Sequence, residues 1–285
     1  MCCSKIIFLN LLNVGVFHMN KTIKEAYGDN LFCQEIDDEM HRLDLVSQTY
    51  DFMTRRQLAG VMYKSDLQCL DIGSGNGSVA LWLTQQDSVS EVIALDRFTQ
   101  ALKVRLNGLQ KLRIIESDLN DNNFSGQFDI INVRFVLMHL RNRNQILKKI
   151  ISWLKPGGWL VVSDIIDISP ECLDDDHYRK IMSVMWNVLI ETIGTDKNWS
   201  ISLSEHYRSM GLQNIKQEIY LPPVNEGAPM AEFWALTWRA MHERLISYGK
   251  VEESILTDVE KKLLRGEILA LSPGMMTCTG QKGFF

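Results

Sequence analysis

The run Leu70-Asp71-Ile72-Gly73-Ser74-Gly75-Asn76-Gly77-Ser78 gathers residue types that can hold a nucleotide-like ligand. Glycines on alternate positions let a backbone turn sharply and approach a ligand with no Cβ in the way. A helix opening at about Ser78 would aim free N–H groups and its positive dipole end at a carboxylate or other anion. Asp71, ahead of the glycines, suits a ligand that also carries an amino group, and Ser74 and Asn76 complete the turn. The spacing separates ligand classes. A dinucleotide fingerprint, G-x-G-x-x-G, would need its third glycine at Ser78. Here it falls at Gly77, giving G-x-G-x-G.

Such a turn works only at the end of a strand, and strand and helix patterns alternate through the middle of the chain. Strands are predicted at Gln68–Ile72, Glu91–Asp96, Arg113–Glu116, Phe128–Val133 and Trp159–Ile166, with helices near Ser78–Gln86, Thr99–Gly108 and Asn142–Leu154. This alternation is what a parallel α/β sheet requires. Lys155-Pro156-Gly157-Gly158 reads as the turn that stops the last of these helices, since proline cannot continue a helix and glycine supplies a left-handed cap. Upstream, Ile36, Met40, Leu43 and Val46 recur at helical spacing, and Thr54 is predicted to cap a second helix running to Met62. Downstream come helices at Leu173–Thr192 and Ser204–Met210 and a strand at Ile215–Leu221. A helical insertion over Pro229–Leu271 and a final strand at Met275–Thr279 follow.

These patterns divide the chain into an N-terminal helical cap over 20–64, a core over 65–169, 200–224 and 272–285, and helical lids over 170–199 and 225–271. Residues 1–19 read as a leader or a mis-called start, with Met19 as the alternative beginning; the apolar run Ile6–Leu12 is too short to span a bilayer. At 285 residues, with 46% hydrophobic and 23% charged residues, the composition is that of an ordinary globular protein. A net charge of −5 argues against a nucleic-acid partner, which calls for a clustered basic surface. The six cysteines form no Cys-x-x-Cys and no ligand-spaced His/Cys cluster, so neither a metal site nor a disulfide framework is expected. That usage fits a reduced, cytoplasmic setting.

Four further segments, in order, extend the argument. Ile93-Ala94-Leu95-Asp96 ends the second strand in a carboxylate, at roughly the 20-residue interval expected of a ribose-binding acid. Ser117-Asp118-Leu119 follows the third strand. Phe128-Asp129-Ile130-Ile131-Asn132-Val133-Arg134-Phe135 forms the fourth, and Trp153 through Leu160 leads into the fifth. With the glycine turn, these segments resemble the class I S-adenosylmethionine-dependent methyltransferases over about Asp66–Ser169. The resemblance implies a Rossmann-like, doubly wound, seven-stranded and mostly parallel sheet with helical cap insertions. It implies S-adenosyl-L-methionine as cofactor and S-adenosyl-L-homocysteine as product. Asp71, Gly73, Ser74, Gly75, Asn76 and Gly77 would hold its amino-acid end, and Asp96 its ribose hydroxyls, beside Arg97. Asp118 and Leu119 would border adenine, and Arg134 the methionine carboxylate or the substrate. The stretch Arg134-Phe135-Val136-Leu137-Met138-His139-Leu140 is similar to the small-molecule branch that serves quinone and natural-product biosynthesis. The Asn/Asp-Pro-Pro-Tyr signature of enzymes acting on base or glutamine amines is absent there.

The implied reaction is in-line displacement, for which positioning and desolvation supply much of the rate. A base is needed only for a protonated acceptor, and His139 is the candidate, with a packing role as the alternative. Asp164, at the carboxyl end of the fifth strand, is a candidate substrate contact. His177, Tyr178 and Trp186 recur at helical spacing, and Phe233, Trp234, Trp238 and His242 form a second stripe; either could roof an apolar acceptor or be core. The expected function is methyl transfer to a small, partly apolar or aromatic molecule, with no nucleic acid and no membrane span, and a homodimer left open. The alternatives are a nicotinamide-dependent (NAD(P)-binding) oxidoreductase and a non-catalytic cofactor-binding protein on the same fold.

Overall fold

The computed structural model describes residues 26–32, 37–121, 124–168, 175–248 and 251–284; the expected leader lies outside them. Seven strands form one sheet: β1 Leu67–Ile72, β2 Val89–Asp96, β3 Leu112–Glu116, β4 Phe128–Arg134, β5 Leu154–Ile166, β6 Leu212–Tyr220 and the last, Gly274–Lys282. A two-residue pair, β7 Pro223–Val224 and β8 Ala270–Leu271, stands apart, so the last strand is β9. The sheet order is β3-β2-β1-β4-β5-β9-β6, with β9 antiparallel to both neighbours. Strand order reverses at β1, where Asp71 pairs with Ala94 on one side and Asn132 on the other. That reversal opens a crevice at the carboxyl ends of β1 and β4, the place where open α/β sheets bind ligands. The fold is that of the class I methyltransferases, as the resemblance implies.

The α-helices among the described residues are α1 Asp37–Ala59, α2 Ser78–Thr84, α3 Gln100–Arg105, α4 Arg143–Ser152, α5 Asp176–Thr192, α6 Leu203–Ser209, α7 Pro229–Ala240, α8 His242–Ser247 and α9 Glu253–Leu264. Near-continuous apolar runs in β1, β2 and β4 reflect burial on both faces. Helix α1, with α5, α7, α8 and α9, builds a separate apolar cluster containing Leu45, Tyr50, Met182, Trp186, Trp234 and Leu256. Residues of this cluster form the roof of the crevice described below.

Three local expectations change. Thr54 caps nothing: α1 runs unbroken past it, and its hydroxyl donates to Tyr50 O at 3.4 Å inside the helix. Pro156 and Gly157 lie within β5 rather than in a turn, because α4 has already ended at Ser152. The β4–β5 register shifts between Phe128 and Ile130, so the strand entry bulges where a residue without an N–H costs no ladder bond. Ala270–Leu271 is extended and paired with β7, outside the helical insertion.

Candidate functional site

The three glycines of the turn all have left-handed φ, at +66° for Gly73, +54° for Gly75 and +82° for Gly77. Two of them are also close approaches. A Cβ on Gly73 would stand 2.2 Å from Val136 Cγ2, and one on Gly77 would stand 2.6 Å from Leu106 Cδ1. Only glycine meets both demands. Asn76 fastens the turn to α1: its Nδ2 donates to Asp44 Oδ1 at 2.7 Å and Ser47 Oγ at 2.9 Å. Ser74 Oγ donates back to Asp71 O at 2.9 Å.

Asp96 joins the turn from the tip of β2. Its Oδ2 accepts the Gly75 N–H at 2.9 Å and its Oδ1 that of Phe98 at 3.1 Å. Burial raises its pKa, and these backbone donors oppose the rise. Asp71 is buried beneath, accepting from Asn132 Nδ2 at 2.7 Å through Oδ1. Desolvation pushes it up to about 6. Its Oδ2 and Asn132 Oδ1 have no partner among the described residues. Asp71 lies behind the cavity wall, which Ile72 and Gly73 form instead.

A cavity of about 240 Å³ opens beside the turn, lined on one side by Gly73, Asn76, Leu95, Asp96, Arg97, Asp118 and Leu119. Arg97 is a junction there. Its Nε pairs with Asp118 Oδ2 at 3.0 Å, its Nη1 donates to Tyr27 O at 2.8 Å, and its Nη2 to Asp29 Oδ1 at 2.9 Å. Asp118 Oδ1 accepts from Asn120 N at 2.8 Å.

The other side is aromatic: Tyr27, Phe32, Tyr50, Phe135, Trp186, Phe233 and Trp234, with Arg42, Arg134 and His139 among them. Arg134 Nη1 donates to Asp51 Oδ1 at 2.8 Å and Thr54 Oγ1 at 3.2 Å, so its charge is paired within the wall. Phe135 holds a left-handed φ of +55°, a strained position for a bulky residue just past β4. His139 lies at the end of a 3-10 turn, Leu137–His139. Its Nδ1 is 2.9 Å from Thr195 Oγ1, and its ring lies 4.5 Å from that of Tyr27. Burial, then the charges of Arg42 and Arg143, lowers its pKa to about 3, so the imidazole is neutral.

The structure separates the expected substrate contacts. Trp186 and Trp234 line the cavity, packed edge to face at 6.1 Å. Tyr178 and Trp238 are fully buried and pack on each other at 5.7 Å, away from the lining. His177 is exposed on α5. Asp164 is fully buried and accepts the Met138 N–H at 3.1 Å, so it holds the turn that carries His139 and does not reach the cavity. Phe233, of the same stripe as Trp234, also lines the cavity, whereas Tyr27, Phe32, Arg42 and Tyr50 are unforeseen in the sequence. The pairing of Glu39 with Arg42 one helical turn on was a usable signal for Arg42; the others carry no local mark. Among the described residues no group of three His, Cys, Asp or Glu could hold a metal ion, and no helix is long and apolar enough to cross a membrane.

The glycine turn thus lies at a strand-order reversal on a class I fold, with acidic residues ending β2 and following β3. Residues 70–162 match a methyltransferase domain family. Methyltransferase str3 of Strobilurus tenacellus is 34% identical over 131 residues, covering 45% of this chain and 46% of the relative. A mitochondrial ubiquinone biosynthesis O-methyltransferase of Candida albicans is 24% identical over 235 residues, covering 75% of this chain and 70% of the relative. The first of these matches thus spans about half the relative's length. Among solved structures, the YcgJ protein of Bacillus subtilis aligns with a TM-score of 0.54 at 15% identity, covering 80% of this chain and 96% of its own. These comparisons give no support to the oxidoreductase alternative, which the shifted third glycine already opposes.

Proposed function

We propose that this protein is an S-adenosylmethionine-dependent methyltransferase acting on a small, partly apolar or aromatic molecule in the cytoplasm. The observation that carries the reading is the contact of Asp96 with the Gly75 N–H at the mouth of a cavity whose far side is aromatic. The relatives named above, one of them an O-methyltransferase of ubiquinone biosynthesis, support it.

The residues present fit the cofactor. The turn has no Cβ to fill its cradle, and Asp96 retains carboxylate lone pairs beside it at the cavity edge. Gly73, Ser74, Gly75, Asn76 and Gly77 would hold the amino-acid end, Asp96 the ribose, and Asp118 and Leu119 the adenine, with Arg97 bracing Asp118. Asp71 and Asn132 would act from behind by stiffening the strand ends. Bound there, the cofactor supplies a methyl group on a positively charged sulfur, already activated toward a nucleophile.

The chain's own part is positioning and exclusion of water. Trp186, Phe233 and Trp234 give the acceptor an apolar face to stack on. Arg134, neutralised by Asp51, supports the wall without offering a free charge. His139 is neutral and has Nδ1 engaged by Thr195; in the tautomer in which Nδ1 donates to Thr195, Nε2 takes a hydrogen bond from an acceptor hydroxyl. With a pKa near 3 it is a weak base, so its part is to orient the nucleophile by a hydrogen bond.

Two measurements test this reading. Calorimetry should find S-adenosylhomocysteine binding to the wild type and at least tenfold weaker binding to Asp96→Ala. Radiolabelled methyl from the cofactor should appear in small aromatic hydroxyl compounds of a cell extract. No binding, or label only in protein or nucleic acid, overturns it.

A further inference from the structure

Arg42 is a charged side chain buried in an aromatic wall, only 7% exposed, and the cavity is lined by it. Its guanidinium is bound along one edge by Glu39, with Nε to Oε2 at 2.7 Å and Nη2 to Oε1 at 2.8 Å. Nη2 also donates to the Tyr27 hydroxyl, which in turn donates to Glu39 Oε1 at 3.3 Å. Aromatic rings flank it: the guanidinium carbon lies 4.3 Å from the Phe32 ring centroid and 4.9 Å from that of Phe233.

An arginine has five N–H donors in a fixed fork. Three of Arg42's point at Glu39 and Tyr27. The two on Nη1 have no hydrogen-bond partner among the described residues, nor is Nη1 sealed from the cavity as the orphaned buried atoms elsewhere are. A donor stripped of water and left without an acceptor is costly, so a molecule that fills the cavity must bring an oxygen to this edge. With the rings on its flanks, that oxygen must arrive in the guanidinium plane. Glu39 already balances the charge, so the pair as a whole presents a dipole and no net charge. A phosphate would find no net positive charge there to offset its own, whereas a neutral carbonyl oxygen needs none.

We infer that Arg42 Nη1 is the specificity contact of the acceptor site, and that it selects aromatic acceptors bearing a neutral carbonyl oxygen: a ketone, ester or quinone. This rests on the methyltransferase reading and sharpens its substrate class. Phe32 and Phe233 keep the guanidinium in plane, and Glu39 sets the charge preference.

The test compares isosteric ligands by calorimetry, with and without saturating S-adenosylhomocysteine: 4-hydroxyacetophenone, 4-isopropylphenol, which replaces the carbonyl by a CH–CH3, and 4-hydroxybenzoate. The wild type should bind the ketone roughly tenfold more tightly than the isopropyl compound, as one hydrogen bond to a charged donor warrants. Arg42→Met with Glu39→Gln, which removes both charges together and so strands neither, should bind the two equally with unchanged affinity for S-adenosylhomocysteine. Glu39→Gln alone should shift preference toward 4-hydroxybenzoate by about tenfold, because Arg42 then carries an unbalanced charge. Equal wild-type affinity for ketone and isopropyl compound, or binding of neither, overturns the inference. If S-adenosylhomocysteine binds all the while, the methyltransferase reading survives; if it does not bind the wild type, that reading is what has failed.

Discussion

Asp96 accepts the backbone N–H of Gly75 at 2.9 Å, so one carboxylate both fixes the glycine turn and faces the space beside it. The two duties separate by substitution. Asp96→Asn keeps the size and an acceptor oxygen for one backbone donor but loses the charge. We expect S-adenosylhomocysteine affinity to fall roughly tenfold to hundredfold, the scale of hydrogen bonds to a charged acceptor, while the melting temperature drops only slightly. Asp96→Ala should lose both, with two backbone donors left unsatisfied. Calorimetry and thermal melts on the pair check this; equal melting losses would mean the charge itself holds the turn.

Gly73→Ala puts a methyl 2.2 Å from Val136 Cγ2 at a left-handed φ. Overpacking of this kind costs about 1–3 kcal/mol. Adding Val136→Ala removes the collision but leaves the backbone strain. The double variant should therefore recover part of the stability in urea melts, and less than all of it. Full recovery would show that the steric contact alone, and not the φ value, reserves the position for glycine.

His139 should make stability depend on acid. Its folded pKa lies near 3 against an ordinary 6.5, so the unfolded chain binds the extra proton between those values. Stability is then fully present above pH 6.5 and declines as pH falls toward 3, by up to about 1.4 kcal/mol per pH unit. Asp71 works in the opposite direction: its folded pKa is raised to about 6 from 3.8, so its share weakens as pH rises through that window. Comparing His139→Asn with the wild type in denaturant melts from pH 7 to pH 4 isolates the histidine. The variant should be the less acid-sensitive of the two; parallel curves would place His139 in a more solvated setting.

The sheet was legible because each strand announces itself locally, by an apolar run bounded by turn residues, and because alternation with helices leaves few topologies. The approach of the turn to Asp96 follows from β1 and β2 being neighbours. What escaped was decided at longer range. On α5 and α7, helical spacing marks Tyr178, Trp186, Trp234 and Trp238 alike as apolar. Packing against other helices turns Tyr178 and Trp238 inward and leaves Trp186 and Trp234 at the cavity. Asp164 sits at a strand end where ligands bind, yet the backbone of Met138 claims its carboxylate. Tyr27 and Arg42 come from upstream segments whose sequence says helix or loop and nothing about which crevice they cover. Pro156 and Gly157 have the local chemistry of a turn, which hides a strand bulge.

Arg97 grips Asp118, Asp29 and the Tyr27 carbonyl with one guanidinium, and Tyr27 in turn covers His139. The energies of the nucleoside wall and the aromatic wall are therefore not additive. Trimming Asp118 frees a share of Arg97 to tighten on Asp29, while trimming Asp29 does the reverse. A double-mutant cycle across these two aspartates should show a non-zero coupling although neither touches the other.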